Sequence, residues 1–124
     1  MVGDLSFISL ELVLDPLISV TSPGGELALM VKPQFEVGKD RVGKGGVVRD
    51  LALRAEAVTA VADAAARRGW GAVAVTTSPL PGPSGNVEFF LLLRHGPASI
   101  GADDIAAEVQ RSGALGVPGE RVDP

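Results

Sequence analysis

Three charged residues interrupt or close the apolar runs of this chain. Lys32 closes Leu27-Ala28-Leu29-Met30-Val31 and is followed at once by Pro33-Gln34-Phe35-Glu36. Glu88 sits in Asn86-Val87-Glu88-Phe89-Phe90-Leu91-Leu92-Leu93, and Asp4 stands between Met1-Val2-Gly3 and Ser6-Phe7-Ile8-Ser9-Leu10. An ionised side chain left unpaired in such surroundings is costly, so it is paired, protonated or put to use. A lysine at the carboxyl end of a buried strand can orient or deprotonate a hydroxyl, and a neighbouring carboxylate can hold its charge and geometry. Ligands of open α/β sheets bind beyond the carboxyl ends of the strands, so three such charges on three strands can meet in one site. Each also has an ordinary reading. Lys32 can snorkel to solvent, Glu88 can lie at an exposed strand start beside Asn86, and Asp4 or Ser6 can be a helix cap.

The elements that must position these residues follow from periodicity. Residues 6–20 carry Phe7, Leu10, Val13, Leu14 and Leu17 at helical spacing, with Ser6 as a candidate cap and Pro16 as a limit or kink. Glu26 to Lys32 reads as a short buried strand, parallel in character. Residues 36–50 hold Gly38, Gly43, Gly45 and Gly46 and read as a long loop. Asp50 is a suitable cap for a helix from Leu51 to Arg68, with Leu51, Ala55, Val58, Ala62 and Ala65 on its inner face and Gly69 after its end. Trp70–Thr77 and Val87–Leu93 read as strands with no helix between them, hence antiparallel neighbours. A short helix is expected near Asp103–Ser112. His95 is expected at the surface and has no assigned role.

Composition narrows the function classes. There are no cysteines and one histidine, which excludes disulfides, thiolate metal sites and multi-histidine metal sites; no metal is expected. At 124 residues with 46% hydrophobic content, the chain can bury a core. No apolar stretch approaches the roughly 20 residues needed to cross a bilayer, and no basic leader segment opens the sequence, so a cytoplasmic protein without a membrane partner is expected. The formal charge of −4 argues against a general polyanion binder. Locally the balance reverses: from Lys32 to Arg54, six basic residues face three acidic ones. Lys39, Arg41, Lys44 and Arg49 in this stretch can meet RNA phosphates or belong to a plain solvated loop. Gly43-Lys44-Gly45-Gly46 lacks the spacing of a phosphate loop.

Four strings, taken together, carry a resemblance. Asp4-Leu5-Ser6-Phe7-Ile8-Ser9-Leu10, Val31-Lys32-Pro33-Gln34-Phe35-Glu36-Val37-Gly38, Val42-Gly43-Lys44-Gly45-Gly46-Val47-Val48-Arg49-Asp50 and Ser78-Pro79-Leu80-Pro81-Gly82-Pro83-Ser84-Gly85-Asn86-Val87-Glu88-Phe89 closely resemble the TlyA family, hemolysin-named, FtsJ-like ribosomal RNA 2′-O-ribose methyltransferases. The match runs in order through roughly residues 3–94. The resemblance implies a Lys-Asp-Lys-Glu tetrad around the target 2′-hydroxyl, with Asp4 as its aspartate, Lys32 as its second lysine and Glu88 as its glutamate. It implies S-adenosylmethionine as methyl donor, with Asp4, Leu5 and Ser6 near the cofactor, and rRNA or ribosomal subunits as partner. The family's N-terminal RNA-binding domain, glycine-rich cofactor loop and first tetrad lysine have no counterpart here. The expected fold is therefore α/β, the C-terminal half of a Rossmann-like methyltransferase domain over residues 1–95, with parallel strands and a final antiparallel strand. Residues 96–124 are expected to form a tail with one short helix. A truncated enzyme, inactive alone and prone to self-association through an exposed sheet edge, is the expected state. The alternative is a non-catalytic remnant or interaction module of α/β type.

Overall fold

The computed structural model describes residues 2–3, 14–22, 24–36, 47–80 and 85–113. In chain order the elements are β1 (Val2–Gly3), α1 (Leu14–Ser19), β2 (Glu26–Val31), α2 (Pro33–Glu36), α3 (Leu51–Arg67), β3 (Trp70–Thr77), β4 (Phe89–His95) and α4 (Ala102–Arg111). The strands form one mixed sheet in the order β1-β2-β4-β3. β1 runs parallel to β2, while β4 lies between β2 and β3 and is antiparallel to both.

Alternation along the strands sets the core. Leu27, Leu29 and Val31 of β2 and Phe89, Leu91 and Leu93 of β4 are completely buried, whereas Ala28, Met30, Phe90 and Leu92 between them are half-buried. Among the described strand residues one sheet face is sealed and the other half-covered, so β2 is less buried than its apolar run suggests. The sealed face packs on α3. That helix begins where expected, with Asp50 Oδ1 accepting the Ala52 N–H at 2.8 Å. It ends at Arg67, and Gly69 (φ +83°), two residues on, takes the left-handed conformation that L side chains disfavour. Arg68 donates to Asp15 Oδ1 at 2.7 Å and ties α1 to this end.

The buried arc of α3 is wider than the expected stripe. It includes Arg54, Ala57, Val58, Val61, Ala62, Ala64 and Ala65, while Leu51 and Ala55 are only half-buried. Alanine-rich surfaces let the sheet and α4 approach from two sides. Arg54 is fully buried because backbone carbonyls take its donors: Nε donates to Val48 O at 3.2 Å and Nη1 to Ser112 O at 2.9 Å. Burial pushes its guanidinium below the ordinary value.

After β4, residues 96–100 fold back along β3. Ser99 and Ile100 N–H groups both donate to Ala72 O, at 2.9 and 3.2 Å. The expected helix near 103–112 is α4, and Ile105 and Val109 on it complete the same core as α3. His95 is exposed at the end of β4, edge-on to Trp70 with ring centroids 5.8 Å apart.

Gly71 is where this return segment comes closest. A Cβ there would run into the backbone of Pro97 and Ala98. Gly71→Ala is expected to destabilise the fold by about 2 kcal/mol, the usual scale of overpacking. An unchanged urea midpoint would show that the 96–100 segment can move aside at little cost.

Candidate active site

The cleft is built from the ends of three strands. β2 stops at Val31 because Pro33 has no N–H for the ladder and instead opens α2, where its missing donor is harmless. Lys32 is left between the two elements, its carbonyl accepting the Phe35 N–H at 2.9 Å. In β4, Val31 pairs with Phe89 and Met30 with Phe90. Continuing that register by one residue sets Lys32 opposite Glu88. On the other side Thr77 pairs with Phe89, and the next step sets Ser78 opposite Glu88, with the Ser78 N–H donating to Glu88 O at 2.8 Å. Lys32, Glu88 and Ser78 thus form one row across the rim of the sheet.

Residues directly opposed in an antiparallel pair share a face, as do residues two apart on one strand. Lys32 and Glu88 therefore share the half-open face with Met30 and Phe90. These four line a cleft of about 350 Å³, walled by Ser78, Pro79 and the exposed Leu80. Lys32 is 8% exposed and Glu88 5%. Neither value fits a snorkelling lysine or a solvated surface carboxylate. Glu88 does differ from expectation in one respect: β4 starts at Phe89, two residues later than Val87, so Glu88 stands just before the strand. The delay coincides with Asn86, whose buried Oδ1 accepts the Val48 N–H at 2.9 Å and draws the chain towards the start of α3.

Two polar contacts were not foreseen. Gln34 Nε2 donates to Glu88 Oε2 at 3.2 Å. Gln34 Oε1 is buried without a partner among the described residues, so the amide is oriented by the carboxylate, which only the NH₂ end can serve. The signal for Gln34 was its place two residues after Lys32, in the turn that Pro33 forces. Asn86 gave no signal, since its partner Val48 is 38 residues away.

The other expected site residues divide simply. Asp4, Leu5, Ser6, Lys39, Arg41 and Lys44 lie outside the described residues. Arg49 is half-buried just before Asp50 and does not line the cleft. Among the described residues there is no group of three or more His, Cys, Asp or Glu side chains able to hold a metal ion. No described helix is long and apolar enough to cross a membrane.

A buried lysine and a buried carboxylate thus share one strand-end rim with the Ser78 hydroxyl. Comparison with known proteins identifies its setting, since the model of the FtsJ-like methyltransferases matches residues 1–95. The chain belongs to that family. It is similar to the 16S/23S rRNA (cytidine-2′-O)-methyltransferase TlyA of Mycobacterium tuberculosis, 59% identical over 93 residues, which cover 75% of this chain and 35% of that protein. YqxC of Bacillus subtilis, a proposed rRNA methyltransferase, is 42% identical over 90 residues, covering 73% of this chain and 32% of its own. The crystal structure of a hemolysin-named protein from Lactococcus lactis superposes with a TM-score of 0.80 at 34% identity, over 90% of this chain and 54% of that one. The chain spans about a third of the length of the curated relatives it matches.

The Gln34 contact can be tested through stability. Gln34→Ala removes a hydrogen bond to a charged acceptor and is expected to cost about 1.5 kcal/mol. Gln34→Glu brings two carboxyl groups together, so the charged form of the pair is disfavoured and its folded-state pKa is raised above the unfolded value. The stability held by the protonated pair is present at low pH and lost as pH rises through that raised value. Gln34→Glu should therefore be the weaker variant at pH 7 and recover towards Gln34→Ala as the pH falls. Parallel denaturation curves for the two variants across pH would show that Gln34 does not face Glu88.

Proposed function

We propose that this chain is the C-terminal half of the catalytic domain of an rRNA cytidine 2′-O-ribose methyltransferase. The observation that carries the reading is the buried Lys32–Glu88 row at the strand-end rim, in a chain of the FtsJ-like family similar to TlyA proteins. Lys32 would face the target ribose, orient its 2′-hydroxyl and accept its proton. Glu88, fixed by Gln34 and by its backbone bond to Ser78, would hold Lys32 in place. Asp4 would join them as the third member of the site. Met30 and Phe90 give these charges an apolar floor.

The family implies S-adenosylmethionine as the source of the methyl group. The described residues do not build a complete site for it: none of their strands leads through a glycine-rich turn into a helix N-terminus, the arrangement that holds an adenosyl cofactor in such sheets. Asp4, Leu5 and Ser6 are proposed to contribute to its site. Lys39, Arg41, Lys44 and Arg49 are proposed to meet RNA phosphates, a role that fits the polyanionic substrate despite the net charge of −4.

Grafting this chain in place of the matching segment of the Mycobacterium tuberculosis relative tests the reading. The chimera should transfer tritiated methyl groups from S-adenosylmethionine to ribosomal subunits. In that chimera Lys32→Ala should lower turnover by at least about a hundredfold, the scale of a lost general base. Lys32→Arg should fail as well, because arginine stays protonated. Cofactor binding should change little in both. Near-normal turnover by either variant overturns the assignment.

A further inference from the structure

The wall of the cleft is held from outside the segment matched by the family. α4 begins at Ala102, beyond the last matched residue, 95. From its inner side, Glu108 Oε2 accepts two hydrogen bonds from Thr77 at the end of β3, one from the backbone N–H at 2.8 Å and one from the hydroxyl at 2.7 Å. The other oxygen, Oε1, accepts from Arg111 at 2.9 and 2.6 Å. Thr77 is the last residue of β3. Ser78 follows it, donates its N–H to Glu88 O and lines the cleft. Beyond Ser78 the chain turns away, with Ser78 Oγ bonded to the Leu80 backbone.

We infer that Glu108 is a positioning residue for the cleft, acting through Thr77 to hold Ser78 against Glu88. Among the described residues β3 is an edge strand laddered to β4; the return segment bonds its other side only near Trp70 and Ala72, and its last residues have no ladder on their outer side. A backbone end held on one side only frays easily. Glu108 supplies the missing outer acceptor for the Thr77 N–H. Its choice of a carboxylate fits the demand, since one oxygen takes both Thr77 donors while Arg111 neutralises the other. Burial pushes the Glu108 carboxyl up, but the bonds from Thr77 and Arg111 outweigh it and hold the group below the ordinary carboxylate range. It is thus ionised and a strong acceptor at neutral pH. A tether made only to pack α4 would not need to converge on the backbone of the one residue preceding the cleft wall; Ile105 and Val109 already bury the helix.

The inference rests on reading Lys32 and Glu88 as the site, yet amide exchange tests it without methyl transfer. In the full 124-residue chain, Glu108→Gln should speed exchange at the Ser78 amide by about tenfold relative to the Leu91 amide in the middle of β4, the scale of a lost bond to a charged acceptor. Thr77→Val removes only the hydroxyl donor and should act in the same direction by about threefold. The double variant should fall short of the product of the two, because they share one contact. Ser78 exchange unchanged in both single variants, or raised only in step with Leu91, overturns the inference. A responsive Ser78 in a chain whose chimera ignores Lys32→Ala supports the coupling and overturns the reading of the cleft instead. The two failures are therefore distinct.

Discussion

β4 is hydrogen-bonded along both edges, and its register with β2 and β3 decides where every polar group of the cleft sits. In a pleated strand a slip of one residue would send Phe89, Leu91 and Leu93 to the half-open face and turn Glu88 inward against α3. The apolar set resists that slip. Three fully buried side chains on β4 face three more on β2, and moving all of them towards water would cost several times the worth of any single polar contact. The hydrophobic pattern therefore fixes the place of the charges, and the charges need contribute nothing to folding. That division lets a buried lysine and carboxylate persist at the rim, although burying such groups rarely stabilises a fold.

What remains is to hold the row rigidly at its ends, where the ladder stops. Each neighbour of Glu88 is fixed by a different element. Gln34 comes from α2, Ser78 from the end of β3, and Asn86 ties the preceding residues to Val48. Val48 is in turn held by Arg54, whose guanidinium also reaches Ser112 beyond α4. A continuous set of buried polar bonds thus runs from the C-terminal end of α4 through α3 to the residues beside Glu88. Its members are satisfied mainly by backbone groups, which have fixed positions and no rotamer freedom to lose. This is a stiffer support than side chains on side chains.

The sequence made some of this legible and hid the rest for physical reasons. α3 and β3 could be bounded closely because their ends carry strong local chemistry: Asp50 as cap, Gly69 as left-handed stop, and Pro79 soon after Thr77. Lys32 and Glu88 stood out because a charge inside an apolar run is locally anomalous. The family was legible from the same strings, and the match over residues 1–95 shows it. Contacts between distant polar residues were not legible. Gln34 and Glu88 are 54 residues apart, Thr77 and Glu108 31, and nothing local distinguishes such residues from solvated ones. Arg54 shows the limit most clearly. A helix-face argument sends arginine to solvent, yet here backbone carbonyls make full burial tolerable.

The two faces of the sheet also differ in a way that bears on the chemistry. The face towards α3 is closed by large aliphatic and aromatic side chains, while the cleft face carries Ala28, Met30, Phe90 and Leu92 only half-covered. An apolar floor beside a lysine and a carboxylate lowers the local dielectric, so any charge developing there interacts more strongly than it would in water. The same exposure leaves room for a substrate without moving the core. Pro33 then has a consequence beyond ending β2. By ending the ladder at Val31, it keeps the Lys32 side chain on the apolar face while freeing its backbone from the sheet, so Lys32 and its apolar floor are fixed by the same turn.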